Sequence, residues 1–173
     1  MTAGTDSPRR SIFHWFAAAT VVALVIADLF IERGASTGLH IAGTVALLCS
    51  IALFVPPFYL LKKHGEVKRG GSYFETNAVV DRGVYGIVRH PQYLGYILLV
   101  LGFTFRCQRI SAALLGVIGV LLFYLQALWE ERFCVQQLGA KYEAYQVKVP
   151  RFNFVLGVVR YLRRKAAASK WSG

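Results

Sequence analysis

Acid is scarce in this chain: 9 Asp and Glu stand against 20 Lys and Arg in 173 residues, a formal charge of +11. A surplus of that size often marks nucleic-acid binding, yet no DNA- or RNA-binding motif is present, and the basic residues fall between apolar runs. A membrane surface accounts for the charge better. Cysteine is sparse as well. Cys49, Cys107 and Cys134 are odd in number and scattered, which suits neither a disulfide framework nor metal-ligand spacing. With His14, His40, His64 and His90 as the whole histidine complement, no metal centre is expected. Internal repeats and low-complexity tracts are also missing.

What the chain has instead is apolar sequence, 55% of its residues, with a positive mean hydropathy. That composition predicts one membrane-embedded domain covering 1–173. Two runs, 12–31 and 39–61, match the roughly 20 residues that a helix needs to cross the hydrocarbon core. A further pair, 93–105 and 110–128, is separated by the polar turn Arg106-Cys107-Gln108-Arg109 and reads as a helical hairpin. The first of that pair is short, so its helix is placed from Pro91, a residue at home in a first helical position. The fold class expected is therefore all-α: an integral-membrane bundle of about four transmembrane helices, near 12–31, 39–61, 91–105 and 110–128.

Basic loops stay on the cytoplasmic side of a membrane. With the N-terminus inside, segments 1–11, 62–92 and 129–173 share that side and hold 17 of the 20 Lys and Arg, leaving Arg33, Arg106 and Arg109 outside. A five-crossing arrangement would export much of the basic tail. Ser7-Pro8-Arg9-Arg10-Ser11-Ile12-Phe13 loosely resembles a twin-arginine leader, but the apolar run behind it exceeds a leader core and no cleavage site follows. It is read as an uncleaved anchor. Residues 129–152 place Cys134, Leu138, Tyr142 and Tyr145 at helical spacing, which predicts a cytoplasmic amphipathic helix on the membrane or on the rest of the protein. The tail 163–173 is expected to be loose and to rest on anionic headgroups. Asp28 is read as lying harmlessly near the outer surface, and Pro56-Pro57 as a bend in the second helix.

Two blocks of fixed order carry a family resemblance. Gly83-x-Tyr85-x-x-x-Arg89-His90-Pro91-x-Tyr93-x-Gly95 precedes the hairpin; Glu130-Glu131, Gly139-x-x-Tyr142-x-x-Tyr145 and Val149-Pro150-Arg151-Phe152 follow it. Together they resemble the isoprenylcysteine carboxyl methyltransferases, integral-membrane enzymes related to the phospholipid N-methyltransferases. The resemblance covers about 75–155; residues 1–74 share only their transmembrane character.

It implies S-adenosylmethionine held by segments 75–95 and 129–155, with the methyl acceptor arriving from the bilayer. The chemistry of the residues agrees. The cofactor's carboxylate needs a cation or N–H donors, which Arg89, His90 and the start of the third helix supply. Its ammonium or ribose hydroxyls need an acceptor, for which Glu130 is suited, while Tyr85 and Tyr93 form walls. Asn77, Ala78, Val79 and Val80 match the stretch that runs along the nucleoside in the family, and Pro91 and Gln92 complete the cofactor set. Arg89 and Glu130 are the catalytic candidates, Gln126 and Arg151 the acceptor-binding ones. Glu131 is read as a solvated helix residue.

A carboxylate acceptor is already ionised and needs no base, whereas an amine must shed a proton. No base beyond His90 and Glu130 is in view, which leans the reading towards carboxyl O-methylation of an isoprenylcysteine-like or isoprenoid acid. Gln126, one turn before Glu130, stands where the family carries an arginine, and that departure counts against prenylcysteine itself. Phospholipid N-methylation is the alternative. NADPH-dependent membrane sterol reductases share a similar C-terminal architecture, but no basic site for a 2′-phosphate is evident; a non-catalytic scaffold is the third possibility. The short chain ahead of the first crossing suggests a prokaryotic inner membrane with the site facing the cytoplasm, membrane lipid as partner and no nucleic acid.

Overall fold

A computed structural model of the chain describes residues 12–31, 34–64 and 78–169. All regular structure among them is helical: α1 (Ile12–Phe30), α2 (Thr37–His64), α3 (Pro91–Cys107), α4 (Ile110–Leu138), α5 (Ala140–Lys148) and α6 (Phe154–Ser169), with a short 3₁₀ turn at Gly83–Gly86. Among the described residues two stretches are long and apolar enough to cross a membrane, Thr37–Phe54 within α2 and Ile110–Leu138, which is α4; α1 is apolar over the shorter His14–Phe30.

Helix ends explain the differences from the expected layout. Pro91 opens α3, where its missing N–H leaves no bond unmade. The Leu94 N–H donates to the His90 carbonyl at 3.0 Å, so His90 sits at the mouth of that helix. α2 continues through Pro56 and Pro57, which lie inside it. α4 does not stop at Leu128 but runs on to Leu138. It ends because Gly139 adopts φ 57° and ψ −139°, a backbone conformation that side chains disfavour. The single amphipathic helix expected over 129–152 is thus the end of α4, a break, and the separate α5. The tail is also different: residues 163–169 belong to α6, a helix the sequence reading does not contain.

The chain forms two compact units, one from the residues up to Leu48 together with 96–128, the other from 49–95 together with the residues from Trp129 onward. In the first unit Tyr96 and Phe123 stack with centroids 4.9 Å apart. Its polar centre is an ion pair. Arg106 Nε donates to both carboxylate oxygens of Asp28 at 3.2 Å, and Arg106 Nη2 to Oδ2 at 3.1 Å. Arg106 Nη1 donates to Thr44 Oγ1 at 3.1 Å and to His40 Nε2 at 3.4 Å. Asp28, near one end of α1, is buried, 6% exposed, and has Arg106 as its partner. Arg106, expected in a polar turn, lies in the last turn of α3.

In the second unit Gly95 of α3 packs against Ser50, Leu53 and Phe54 of α2. Tyr142, Tyr145 and Val149 form a buried cluster with Val79, Cys134, Val135 and Leu138 around them. α6 closes on this unit through Gly157, where any Cβ would collide with the Ile87 carbonyl, so only glycine permits the approach. Arg164 then caps two helix ends at once, donating to the Lys148 carbonyl that closes α5 at 2.6 Å and to the Gly86 carbonyl that closes the 3₁₀ turn.

Breaking a buried ion pair from one side strands the other charge, at a cost of about 3–5 kcal/mol. Asp28→Ala is expected to lower stability by that order in thermal unfolding of the detergent-solubilised chain. The double replacement Asp28→Leu with Arg106→Leu should recover most of the loss; a double variant as unstable as the single one would mean that the pair is not its source.

Candidate active site

The site begins with a seam between two segments far apart in the chain. The Arg89 N–H donates to the Pro150 carbonyl at 3.0 Å and the His90 N–H to the Arg151 carbonyl at 3.4 Å. Tyr145 Oη donates to the Tyr85 carbonyl at 2.7 Å. The stretch that opens α3 is thereby fastened to α5 and its exit strand of chain by backbone groups, which fixes the side chains at 89–93 relative to those of α4 and α5.

Glu131 binds the seam electrostatically. Arg89 Nη2 lies 3.0 Å from Glu131 Oε1, and His90 Nε2 lies 3.1 Å from the same oxygen. Arg151 donates from Nε to Oε1 at 3.0 Å and from Nη2 to Oε2 at 2.6 Å. A carboxylate can only accept, so the proton of His90 belongs on Nε2 in this arrangement. Glu131 is 5% exposed and fully engaged, not the solvated residue expected from the sequence.

Glu130 behaves differently. Its side chain is 30% exposed, and its Oε1 is 4.0 Å from His90 Nδ1, too far for a hydrogen bond. It projects into a cavity whose walls are Ala78, Val79 and Val80 on one side and Tyr85, Arg89, His90, Pro91, Gln92 and Tyr93 on another. Cys134 and Leu138 follow Glu130 on α4 at intervals of one helical turn, and Tyr142 and Tyr145 of α5 complete the lining. The His90 ring lies between Tyr93 and Phe152, with centroids 5.6 Å and 6.1 Å away.

Two donors in this lining have nothing to donate to: Arg89 Nε and Gln92 Nε2 are buried without a hydrogen-bond partner among the described residues. Leaving such groups unpaired costs about 1–3 kcal/mol each. The phenols of Tyr85, Tyr142 and Tyr145 are pushed up by burial, and for Tyr85 next by the Glu130 charge, so they remain neutral. A cavity with a cation, orphaned N–H donors, one accessible carboxylate and aromatic walls suits a small molecule carrying both an anionic and a cationic group and a flat ring.

Of the residues singled out in the sequence, the cavity assembles Ala78, Val79, Val80, Tyr85, Arg89, His90, Pro91, Gln92, Tyr93 and Glu130. Asn77 lies outside the described residues. The expected acceptor-binding pair is absent from the lining. Gln126 Nε2 donates to His14 Nδ1 at 3.2 Å within the first unit, and the Arg151 guanidinium is committed to Glu131. The residues that sequence reasoning did not assign to the site are Cys134, Leu138, Tyr142 and Tyr145, whose shared helical face was visible but whose neighbour was not.

Comparison with known proteins adds a family to this geometry. The profile described as phospholipid methyltransferase matches residues 39–141. Protein-S-isoprenylcysteine O-methyltransferase B of Arabidopsis thaliana is 34% identical over 77 residues, 44% of this chain and 39% of that protein. The Schizosaccharomyces pombe protein-S-isoprenylcysteine O-methyltransferase is 34% identical over 77 residues, 44% of this chain and 33% of its own. Isoprenylcysteine O-methyltransferase A of Arabidopsis is 32% identical over 79 residues, 45% of this chain and 40% of that protein. The match thus spans well under half the length of these relatives. No solved structure matches the chain.

The two adjacent glutamates should separate cleanly. Glu131→Ala removes the counter-charge of buried cations and is expected to cost about 3–5 kcal/mol of stability. Glu130→Ala removes a partly exposed carboxylate with no close partner and should cost no more than about 1 kcal/mol. Thermal unfolding of both variants in the same detergent checks this; equal losses would refute the division of roles.

Proposed function

Because the chain belongs to the phospholipid methyltransferase family, we propose that it transfers a methyl group from S-adenosylmethionine to a lipophilic acceptor held in the membrane, with carboxyl O-methylation of an isoprenoid acid as the reaction. The observation that carries this reading is the pair of orphaned donors, Arg89 Nε and Gln92 Nε2, in a cavity that also presents Glu130. The residues fit the cofactor group by group. Arg89 and Gln92 would take its carboxylate, Glu130 its ammonium or ribose hydroxyls, and Tyr85, Tyr93 and the apolar side chains of Val79 and Val80 its nucleoside. When bound, the cofactor supplies an electrophilic methyl group on a sulfonium. The chain's task is then to hold both reactants in line and keep water away, which can account for much of the acceleration.

The choice of acceptor rests on what the site leaves free. His90 gives its Nε2–H to Glu131, and Glu131 is saturated by Arg89, His90 and Arg151. A carboxylate acceptor, already ionised, asks nothing further of these groups. The names of the plant and yeast relatives support the same class of acceptor. The second reading is N-methylation of a phospholipid, favoured by the family's own description and by His90 Nδ1, which has only the more distant Glu130 before it and is open to receive a proton.

The membrane arrangement belongs to this reading. Arg89 to Tyr93 and Glu130 line one cavity, so the chain must leave and return to the same side between them. In this reading α3 and α4 form a there-and-back hairpin, and with α1 and α2 they would make four crossings. The basic balance of 62–92 and 129–173 supports a cavity on the cytoplasmic side in this reading.

Calorimetry with S-adenosylhomocysteine should show binding that Glu130→Ala weakens by about tenfold or more while unfolding is little changed, as loss of a charge-assisted contact requires. Binding of NADPH in place of S-adenosylhomocysteine would overturn the reading in favour of a reductase. Incubating the reconstituted chain with methyl-labelled S-adenosylmethionine and a lipid extract should then yield a base-labile methyl ester. A label resistant to base in the phospholipid fraction would replace the carboxyl acceptor by the amine.

A further inference from the structure

We propose that α6 lies in the plane of the membrane surface, with one apolar stripe among lipid chains and flanking arginines on anionic headgroups. The helix has two opposite faces. Gly157, Tyr161 and Arg164, at intervals of four and three residues, pack on the second unit at Ile87 and Gly86. The other side carries Val155, Val159, Leu162 and Ala166, spaced four, three and four residues apart, so that they form a single stripe. Val155 is 75% exposed, Val159 41% and Leu162 58%. A helix resting on a protein in water shows the reverse pattern, with its outward stripe polar.

The charges beside the stripe indicate what covers it. Arg163 flanks it along one edge and Lys165 along the other, both exposed, while Arg160 lies further round on the Arg163 side, exposed but donating to the Val147 carbonyl at 3.4 Å. Lys165 also lines a second cavity with Lys141 and Lys148, against the lone acid Asp81. An apolar strip bordered by cations on both edges complements a lipid surface of negative charge, where acyl chains meet phosphates, and basic side chains of this kind add attraction that falls away within a Debye length. A protein partner would need its own ridge of matching acids. With its flanking and buried basic residues, α6 is not among the stretches apolar enough to cross the bilayer. It lies on the surface.

The inference does not depend on the methyl-transfer chemistry, and its test uses the whole chain reconstituted into vesicles. A photoactivatable diazirine is placed on the acyl chain of either phosphatidylglycerol or phosphatidylcholine, and labelled residues are mapped by mass spectrometry, with α2 and α4 as the internal standard. Val155, Val159 and Leu162 are expected to take label while Gly157 and Tyr161 do not, and phosphatidylglycerol should label the stripe severalfold more than phosphatidylcholine. The double variant Arg160→Gln with Arg163→Gln should bring that ratio towards one. Label on α2 and α4 with none on α6 overturns the proposal, and so does crosslinking of α6 to a second copy of the chain in place of lipid. A lipid ratio of one in the natural chain, or one unmoved by the double variant, overturns the headgroup contact.

Discussion

The second unit depends on one buried carboxylate. Arg89 and His90 stand at the entrance to α3, Arg151 follows α5, and Glu131 lies on α4, so a single side chain ties together segments that the chain sequence keeps well apart. Without it these basic groups would face one another in a region of low polarity, where a pair of like charges about 4 Å apart repels by about 4 kcal/mol at an intermediate dielectric. With it, the bidentate grip of Arg151 and the shared oxygen of Arg89 and His90 use up the acceptor positions of the carboxylate. The backbone bonds from 89 and 90 to 150 and 151 can form because this charge balance holds the two segments in register.

Fixing the arginines in this way has a consequence for the neighbouring acid. Consecutive residues on a helix point about 100° apart, so when Glu131 turns inward to the basic cluster Glu130 must face elsewhere. It faces the cavity, partly exposed, with His90 Nδ1 at 4.0 Å. Arg89 is divided between both tasks. Its Nη2 is held by Glu131, while its Nε remains buried and unused at the cavity wall.

Much of this site was legible because its chemistry is written in local motifs. The Arg89-His90-Pro91 run and Glu130 single out residues that the cavity brings together, and proline at the mouth of α3 marks where the helix starts. Glu130 was read as the acid that meets a ligand and does line the cavity, but the burial of Glu131 was not legible, since the motif does not record which way an adjacent acid turns about the helix axis. Cys134, Leu138, Tyr142 and Tyr145 showed a common face, but periodicity reveals that a face is buried and never says against what. The break at Gly139 was hidden for a related reason: a glycine within a periodic stretch is tolerated in a helix or ends it, depending on a backbone angle the pattern does not record. α6 was missed because its arginines and alanines resemble a solvated tail, and its helix is stabilised by contacts at Gly157 and Arg164 that no local propensity encodes.

Arg89 and Arg106, both largely shielded from water, show how a closed ion pair differs from an open one. Arg106 places Nε and Nη2 on Asp28 and Nη1 on Thr44 and His40, so each of its nitrogens has an acceptor within the protein. Such a group is closed: a ligand arriving there would have to break bonds as good as those it offers, and the pair serves only to hold apolar helices in one arrangement. Arg89 is equally shielded from water, but one of its donors is unspent, and beside it Gln92 keeps a second. An unsatisfied donor in a nearly dry place destabilises the chain that carries it, and that cost is offset only when an acceptor enters. Burial alone does not distinguish these arginines, and neither does charge. What sets Arg89 apart is the incompleteness of its surroundings, which an anionic group entering the cavity would complete.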